Sequence, residues 1–338
     1  MYLIPNKSLA RFILIMLGTA CLPTWGQLPD PTVLVIDTEN VVEYVDDVGV
    51  PAKFGLTPTI VPLIPPSGFP YIAAVGDIVA VNGQPAKGSL FGSIMAFGAS
   101  PTILAGRSIA DATRSSMRSF VFEILKTDGS QVGSITTLGM NGGTAPPGAP
   151  STQSVAAYTI VGGTGAFLGA RGQGGQIRLT VPAARQASMA EDPANRRING
   201  GGTVRFVLQV LPAYSPSVVS TSAGPAVTHS KDFTLVTPDH PAAPGETLSI
   251  FVSGLGPTRP SRDSGAVFPA NPPSTVTSPV AVTIGGKTCS VTAAVGYPGT
   301  LDGFQVNIVL PADVPAGLQE LQVSSAWVTG PAVKIVVK

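Results

Sequence analysis

Charge is scarce in this sequence. Lys, Arg, Asp and Glu together supply 12% of the 338 residues, and the formal net charge is +1. That share is about half the usual one for a globular chain. No Lys/Arg cluster stands out beyond residue 26, so no nucleic-acid partner is expected. Cysteine and histidine are nearly missing: Cys21, Cys289, His229 and His240 are all there are. A Cys/His zinc site needs more ligands than these, and no metal or other cofactor is expected. The Gly-x-Ser-x-Gly elbow of serine hydrolases does not occur. His229 borders a Ser/Pro-rich stretch and His240 lies in PDHPAAPG, so neither sits beside a nucleophile. The EDP at 191–193 lacks the spacing of a calcium loop. Asp37, Glu39, Asp46 and Asp47 read as solvated loop carboxylates rather than a general-acid pair.

One apolar run is long enough to notice. Lys7 and Arg11 precede FILIMLGTACL, residues 12–22, followed by Pro23 and the small residues Thr24 and Gly26. This is the pattern of a signal peptide over 1–26, cleaved before Gln27, with a cut after Ala20 as the alternative. It falls short of the roughly 20 residues of a membrane span, and no later run reaches that length. A lipid-anchored Cys21 would want Leu three residues earlier, where Gly18 stands. The expected location is secreted, periplasmic or cell-envelope. Cleavage would leave Cys289 as the sole thiol, so no intrachain disulfide could form.

What the chain has in plenty is glycine and proline, 39 and 33 residues, scattered between short apolar runs. Period-2 alternation dominates those runs. Phe120, Phe122 and Ile124 share one strand face, and Val121, Glu123 and Leu125 share the other. Thr127–Ser130 reads as a hairpin turn. Similar runs at 33–36, 77–81, 89–97, 131–138, 155–161, 176–181 and 204–210 bring the count to about eight strands between 27 and 213. That number suits a closed antiparallel barrel, which has no exposed edge. Helical pattern is sparse: a short helix over 105–116 and a helical turn within 183–197 are the candidates. Residues 139–153 read as a loop. Residues 214–228, rich in Ser, Pro and Ala, read as a linker. Seven further short strands over 229–338 indicate an immunoglobulin-like sandwich without the Cys–Trp–Cys hallmark. The expected architecture is all-β: barrel 27–213, linker 214–228, sandwich 229–338.

The most conspicuous string is YTIVGGTGAFLGARG, residues 158–172. A strand followed by Gly162, Gly163, Thr164 and Gly165 suggests a dinucleotide fingerprint. That motif needs a helix to begin at once. Gly169, Gly172, Gly174 and Gly175 would each cost such a helix about 1 kcal/mol. The string therefore reads as a turn between two barrel strands, with Ala166 and Phe167 filling the core and Arg171 donating to turn carbonyls. The block GGTGAFLGARG resembles the signature of the dirigent and allene oxide cyclase barrel family. The preceding FEILKTDGSQVGSITTLG resembles the strand pair before that signature. The resemblance spans about 75–212. It implies an eight-stranded barrel with a central cavity, a small apolar or aromatic ligand, and assembly as a homo-oligomer through the barrel. The segments 244–258, 279–286 and 296–317 resemble a C-terminal domain that recurs in exported acidobacterial proteins and has no assigned activity.

The residues with chemistry on the barrel strands are Glu123, Tyr158, Arg178 and Arg205. Arg178 and Arg205 fall on polar strand faces. Facing the lumen, they would form a carboxylate site; facing solvent, which is the commoner arrangement, they keep the surface wet. Three functions stay open at this point. The first is a small-ligand-binding barrel with an accessory sandwich for attachment. The second is a cyclase-like or stereo-directing barrel of isomerase type. The third is a purely structural envelope protein.

Overall fold

The computed structural model describes residues 31–45, 71–97, 115–141, 157–178, 184–263 and 265–338. The expected leader lies outside them. So do most of the helix expected over 105–116 and of the loop expected over 139–153. Where those two overlap the described residues, Ser115 and Ser116 open a strand and Gly139–Asn141 close one.

The first half is built from β1 (Thr32–Val45), β2 (Tyr71–Val81), β3 (Gln84–Pro85), β4 (Lys87–Phe97), β5 (Ser115–Leu125), β6 (Gln131–Asn141), β7 (Ala157–Gly165), β8 (Arg171–Arg178), β9 (Arg185–Ser188) and β10 (Gly202–Leu211). Pairing runs β2-β4-β5-β6-β7-β8-β10-β1, and β1 pairs back to β2. Every one of these pairs is antiparallel. The result is a closed eight-stranded barrel. At that strand number the interior is just wide enough for side chains to fill. Alternation sends Leu34, Ile36, Ile78, Leu90, Phe122, Ile124, Ile135, Phe206 and Leu208 inward, all fully buried. Phe122 and Phe206 meet edge to face at 4.8 Å, and Phe120 joins Phe206 at 5.5 Å. These contacts pack the middle of the lumen with aromatic rings. A side chain at Gly92 would overlap the Phe120 ring, and one at Gly174 would overlap Leu208. Inward-facing glycines thus give the large residues their room.

The two ends of the barrel differ. At one end, tight turns at 82–83, 126–130 and 166–170 join neighbouring strands. At the other, strands are joined through 46–70, 98–114, 142–156 and the excursion 179–201. Part of that excursion folds back along the outside. β9 pairs in parallel with the end of β1, and a 3-10 turn follows at Pro193–Arg197, capped by Asp192.

The second half contains β11 (Ser217–Val218), β12 (Ser220–Thr221), β13 (Gly224–Pro225), β14 (Val227–His229), β15 (Thr247–Ser253), β16 (Thr258–Arg259), β17 (Thr275–Val276), β18 (Val280–Ile284), β19 (Lys287–Gly296), β20 (Gly303–Val309), β21 (Gly317–Ser325), β22 (Val328–Thr329) and β23 (Val333–Val337). One layer is β14-β15-β20 with the second part of β19. The other is β18-β21-β23 with the first part of β19. β19 changes partner between Cys289, opposite Val282, and Ser290, opposite Val309, and a register shift follows at Val291/Ala293. Leu248, Ile250, Val252, Val282, Ile284, Phe304, Val306, Ile308, Leu321 and Val323 share one apolar core between the layers. The stretch expected as a linker, 214–228, instead belongs to this half. β11 and β14 both pair with β15, and Val218 and Val227 are buried. Strands of two or three residues carry too little alternation to stand out against Ser and Pro.

The halves touch at the hairpin end of the barrel. Ala326 is fully buried within the barrel's own core cluster, and Trp327 packs beside it. The indole Nε1 of Trp327 donates to Gln84 Oε1 at 3.3 Å. A Cβ on Gly256 would stand 3.3 Å from the Ala166 methyl. The sandwich therefore supplies the floor of the barrel.

Candidate functional site

The polar groups of the lumen gather toward the end away from that floor. Their placement begins with a β-bulge. In β1, Leu34, Ile36 and Thr38 face inward on even positions. Asn40 then adopts φ 53°, and the register with both neighbouring strands shifts across residues 38–42. Asn tolerates this left-handed conformation better than most residues. One extra residue inverts the alternation. Beyond the bulge Val41 and Glu43 face the lumen, while Val42 and Tyr44 pack outside against Ala187, Ala73 and Val75. A carboxylate is thereby delivered into an apolar barrel.

Its partner is Arg118. On β5 the inward set Phe120, Phe122, Ile124 extends back to Arg118, whose Nη1 lies 3.6 Å from Glu43 Oε1. The side chains are 9% and 11% exposed for Arg118 and Glu43. Both charges are thus largely out of water, where removing either partner is expensive. Two strands further on, Tyr158 faces inward from β7. Arg118, Gly139 and Tyr158 occupy one register row, and Gly139 contributes no side chain between the two polar groups. The Tyr158 hydroxyl donates to Gln176 Oε1 at 3.0 Å. Its ring stands edge-on to Phe120, with centroids 5.4 Å apart. Thr137 is fully buried on the next row, and its Oγ1 has no hydrogen-bond partner among the described residues. Ile72 and Ile94, buried beside Arg118, complete the apolar wall. The arrangement combines a guanidinium, a carboxylate, a phenol and an amide above an aromatic floor. Chemically, such a set of groups can hydrogen-bond a polar group and accept or donate a proton.

Of the residues singled out in the sequence, only Tyr158 has its described side chain in this lumen. Glu123 lies on the outer face of β5, paired in register with Ser89 and Ser134. Arg205 is also on the outside, where Nε and Nη2 reach Asp37 at 2.5 and 3.1 Å. Asp37 and Glu39, expected in a loop, are strand residues of β1. Arg178 ends β8 with its backbone opposite Val204. Sequence reading missed Glu43, Arg118 and Gln176. The signal for Arg118 was present, since it shares parity with Phe120 and Phe122. The signal for Glu43 was not, because simple alternation along β1 assigns it to the outside.

In the signature block, Gly162, Gly163, Thr164 and Gly165 close β7 and Arg171 and Gly172 open β8. The turn between them, which includes Gly169, buries Phe167 and Ala170 at the hairpin end. Arg171 Nη1 donates to the carbonyls of Val161 and Ala170, both at 2.9 Å. The block is an element of the barrel floor, remote from the polar row.

A second polar cluster coats the outside. Asp77, on the outer face of β2, receives Arg197 at 2.7 and 2.8 Å, Asn40 at 2.9 Å, and Arg196. Burial works against its ionisation, yet these hydrogen bonds prevail and hold the carboxyl at about 2. Nearby, Arg185 grips the fully buried Glu191 through two hydrogen bonds of 2.5 and 2.8 Å. Burial, reinforced by Glu191, pushes the Tyr44 hydroxyl above its ordinary range. Together these bonds clasp the excursion to the barrel wall. No group of three or more His, Cys, Asp or Glu able to hold a metal occurs among the described residues.

No protein-family model and no curated protein matches the chain. Among solved structures it is similar to the pterocarpan synthase dirigent protein GePTS1. Identity is 17% and the TM-score 0.29, over 59% of this chain and 99% of that one. At that score the barrel assignment rests on the strand order and closure described above.

Proposed function

We propose that the chain is an exported protein whose barrel binds a small, mainly apolar molecule carrying an anionic or phenolic group. The observation that carries this reading is the buried Glu43–Arg118 pair in one register zone with the Tyr158–Gln176 hydrogen bond, all facing a lumen that is mainly Phe, Ile, Leu, Val and Ala, with Thr38 and Thr137 its other buried polar side chains among the described residues. A buried ion pair is weak support for stability, because packed apolar residues of the same volume do as well or better. Its presence in the lumen is better explained by recognition. Arg118 supplies the fork that matches a carboxylate, and Phe120 supplies the face for an aromatic ring. The same reading makes the sandwich an immunoglobulin-like accessory domain, with a part in attachment as well as in flooring the barrel.

The test uses two aromatic probes of equal size, 2-naphthoate and 2-naphthol, titrated by fluorescence. Wild type is expected to favour the carboxylate. Arg118→Gln should weaken naphthoate by about tenfold, the worth of one charge-assisted hydrogen bond, and leave naphthol within about twofold. The paired variant Glu43→Gln/Arg118→Gln, which strands no charge, serves as the folding control by near-ultraviolet dichroism. Failure of either probe to bind, or loss of both probes equally in the folded double variant, would overturn the reading.

Proton-transfer chemistry on a reactive guest, of isomerase type, is the second reading. It is favoured by Tyr158 standing in one register row with Arg118, which pairs with Glu43, on the inner faces of one apolar barrel. It requires turnover that Tyr158→Phe abolishes while naphthoate binding persists.

A further inference from the structure

The outer face of the sandwich layer β14-β15-β20-β19 carries polar groups that neither core uses. Leu248, Ile250 and Val252 point into the sandwich, so Ser249 and Phe251 face outward from β15. On β20, Phe304, Val306 and Ile308 point inward and leave Gln305 and Asn307 outward. Ser249 stands opposite Asn307, and Phe251 opposite Gln305. These side chains are held in one direction. Ser249 Oγ donates to Asn307 Oδ1 at 2.9 Å, and Gln305 Nε2 donates to the same oxygen at 2.9 Å. A serine hydroxyl has a single hydrogen to give. Ser230 Oγ, 2.8 Å from Ser249 Oγ, is therefore the donor in that contact. The relay runs from Ser230 through Ser249 to Asn307, and Gln305 closes on it from the far side. It leaves Asn307 Nδ2 as a donor and Gln305 Oε1 as an acceptor, both without a partner among the described residues.

An aromatic pair adjoins this array. The Phe251 and Tyr297 rings meet edge to face, with centroids 5.4 Å apart. They come from the two strands that flank β20. At that level β20 presents Gly303, whose carbonyl accepts from Tyr297 N at 2.7 Å. With no side chain on Gly303, the rings reach each other across it. Tyr297 is 43% exposed. The face is also free of ions. β15 and β20 contain no charged residue, and β19 has only Lys287, at the end that pairs with β18 in the other layer.

We infer that this face binds a neutral glycan. Two adjacent sugar hydroxyls each donate and accept, and they match a fixed amide donor beside a fixed amide acceptor. The relay orients both amides before the ligand arrives, so little ordering is left for binding to supply. The electron-rich ring faces suit the C–H side of a pyranose, while its hydroxyls turn to Asn307 and Gln305. An anionic ligand would find no cation on these strands, and a bilayer no basic anchor. A protein partner fits poorly too. At less than half exposure each, the two rings and Val295 offer on the order of 200 Å², against the ~800 Å² each side gives a standard interface. The inference rests on the accessory role proposed for the sandwich and gives that role a ligand class; it does not depend on what the barrel holds.

The experiment is a set of depletion isotherms of the mature chain on insoluble cellulose, chitin and xylan. Wild type is expected to bind at least one of the three, and to hold it within about twofold between 0.1 and 1 M NaCl, because no ion pair is there to screen. Tyr297→Ala and Gln305→Ala should each weaken binding by about tenfold, the scale of a lost contact or hydrogen bond. Both positions face outward, and the thermal midpoint should stay near that of wild type. Gln322→Ala, outward on β21 in the other layer, should bind as wild type does. Naphthoate titration of the same samples reads the barrel separately, so failure of one reading is distinguishable from failure of the other. Four outcomes overturn the proposal: no depletion on any of the three polysaccharides, binding untouched in both Tyr297→Ala and Gln305→Ala, binding lost at 1 M NaCl, or an equal loss in Gln322→Ala.

Discussion

Asp77 shows how one carboxyl fastens an element that sequence alone leaves loose. It stands between β1 and the 3-10 turn, bonded to Asn40 on one side and to Arg196 and Arg197 on the other. Its folded-state value of about 2 lies below the ordinary 3.8. A depressed carboxylate contributes stability in full above its unfolded value and loses it as pH falls through the folded one. The contribution is therefore complete above about pH 4–5 and gone near pH 2. Its size is on the order of 1–2 kcal/mol after allowance for solvent at Arg197. Asp77→Asn should lower the urea midpoint at pH 7 and flatten the acid limb between pH 5 and 2. Equal acid sensitivity in variant and wild type would place the clasp's stability elsewhere. Cys289 presents the opposite case at the same scale. Burial pushes its thiol up to about 11, so the lone described cysteine is protonated and a packing residue of the sandwich core at neutral pH.

At the scale of the element, the bulge in β1 decides what the lumen contains. It needs two residues of the right kind. Asn40 takes the left-handed backbone, and Gly201 lies against it so closely that any Cβ there would overlap the Asn40 backbone. Gly200 has φ 84° with open space around it. The two glycines thus separate conformation from crowding. Gly200→Ala should cost about 1 kcal/mol, the strain of a left-handed alanine. Gly201→Ala should cost about 2–4 kcal/mol, because the bulge must shift, and should weaken naphthoate binding as Glu43 moves. Thermal unfolding of the two variants, with probe titration, checks both. If Gly201→Ala behaves like Gly200→Ala, the bulge is not held by this contact. The same element marks where sequence reading succeeded and where it ran out. Regular strands were legible because Phe120, Phe122 and Ile124, or Val204, Phe206 and Leu208, alternate without interruption. Arg205 stood on the opposite parity from Phe206, and its outward position follows from that alone. Glu43 was not legible, since a single inserted residue reverses parity and leaves almost no mark in composition. Its only cues were an Asn in a strand and a Gly-Gly pair some 160 residues away, which register alone brings together.

At the scale of the whole molecule, the barrel is sealed by residues that are not its own. Ala326 and Trp327 form the turn between β21 and β22, with φ of 48° and 64°. Hairpin turns of this hand usually take Asn and Gly. Two side chains in left-handed backbone cost on the order of 1–2 kcal/mol each, so something outside the turn must hold them. The barrel does: Ala326 lies in its core, and Trp327 covers the floor between Gln84 and the hairpin turns. Without the sandwich, Val81, Ala86 and Phe167 at that end would lose this cover. This couples the folding of two halves that sequence divides at 214–228. Trp327→Ala should therefore lower the stability of the barrel and not only that of its own domain, by about 2–4 kcal/mol for loss of a packed indole. Calorimetry of wild type should show one cooperative transition. The variant should show either a lower single transition or a split in which the barrel melts first. A split in which the barrel transition keeps its wild-type temperature would mean the floor is decoration, and the sandwich would then be an independent module on a tether.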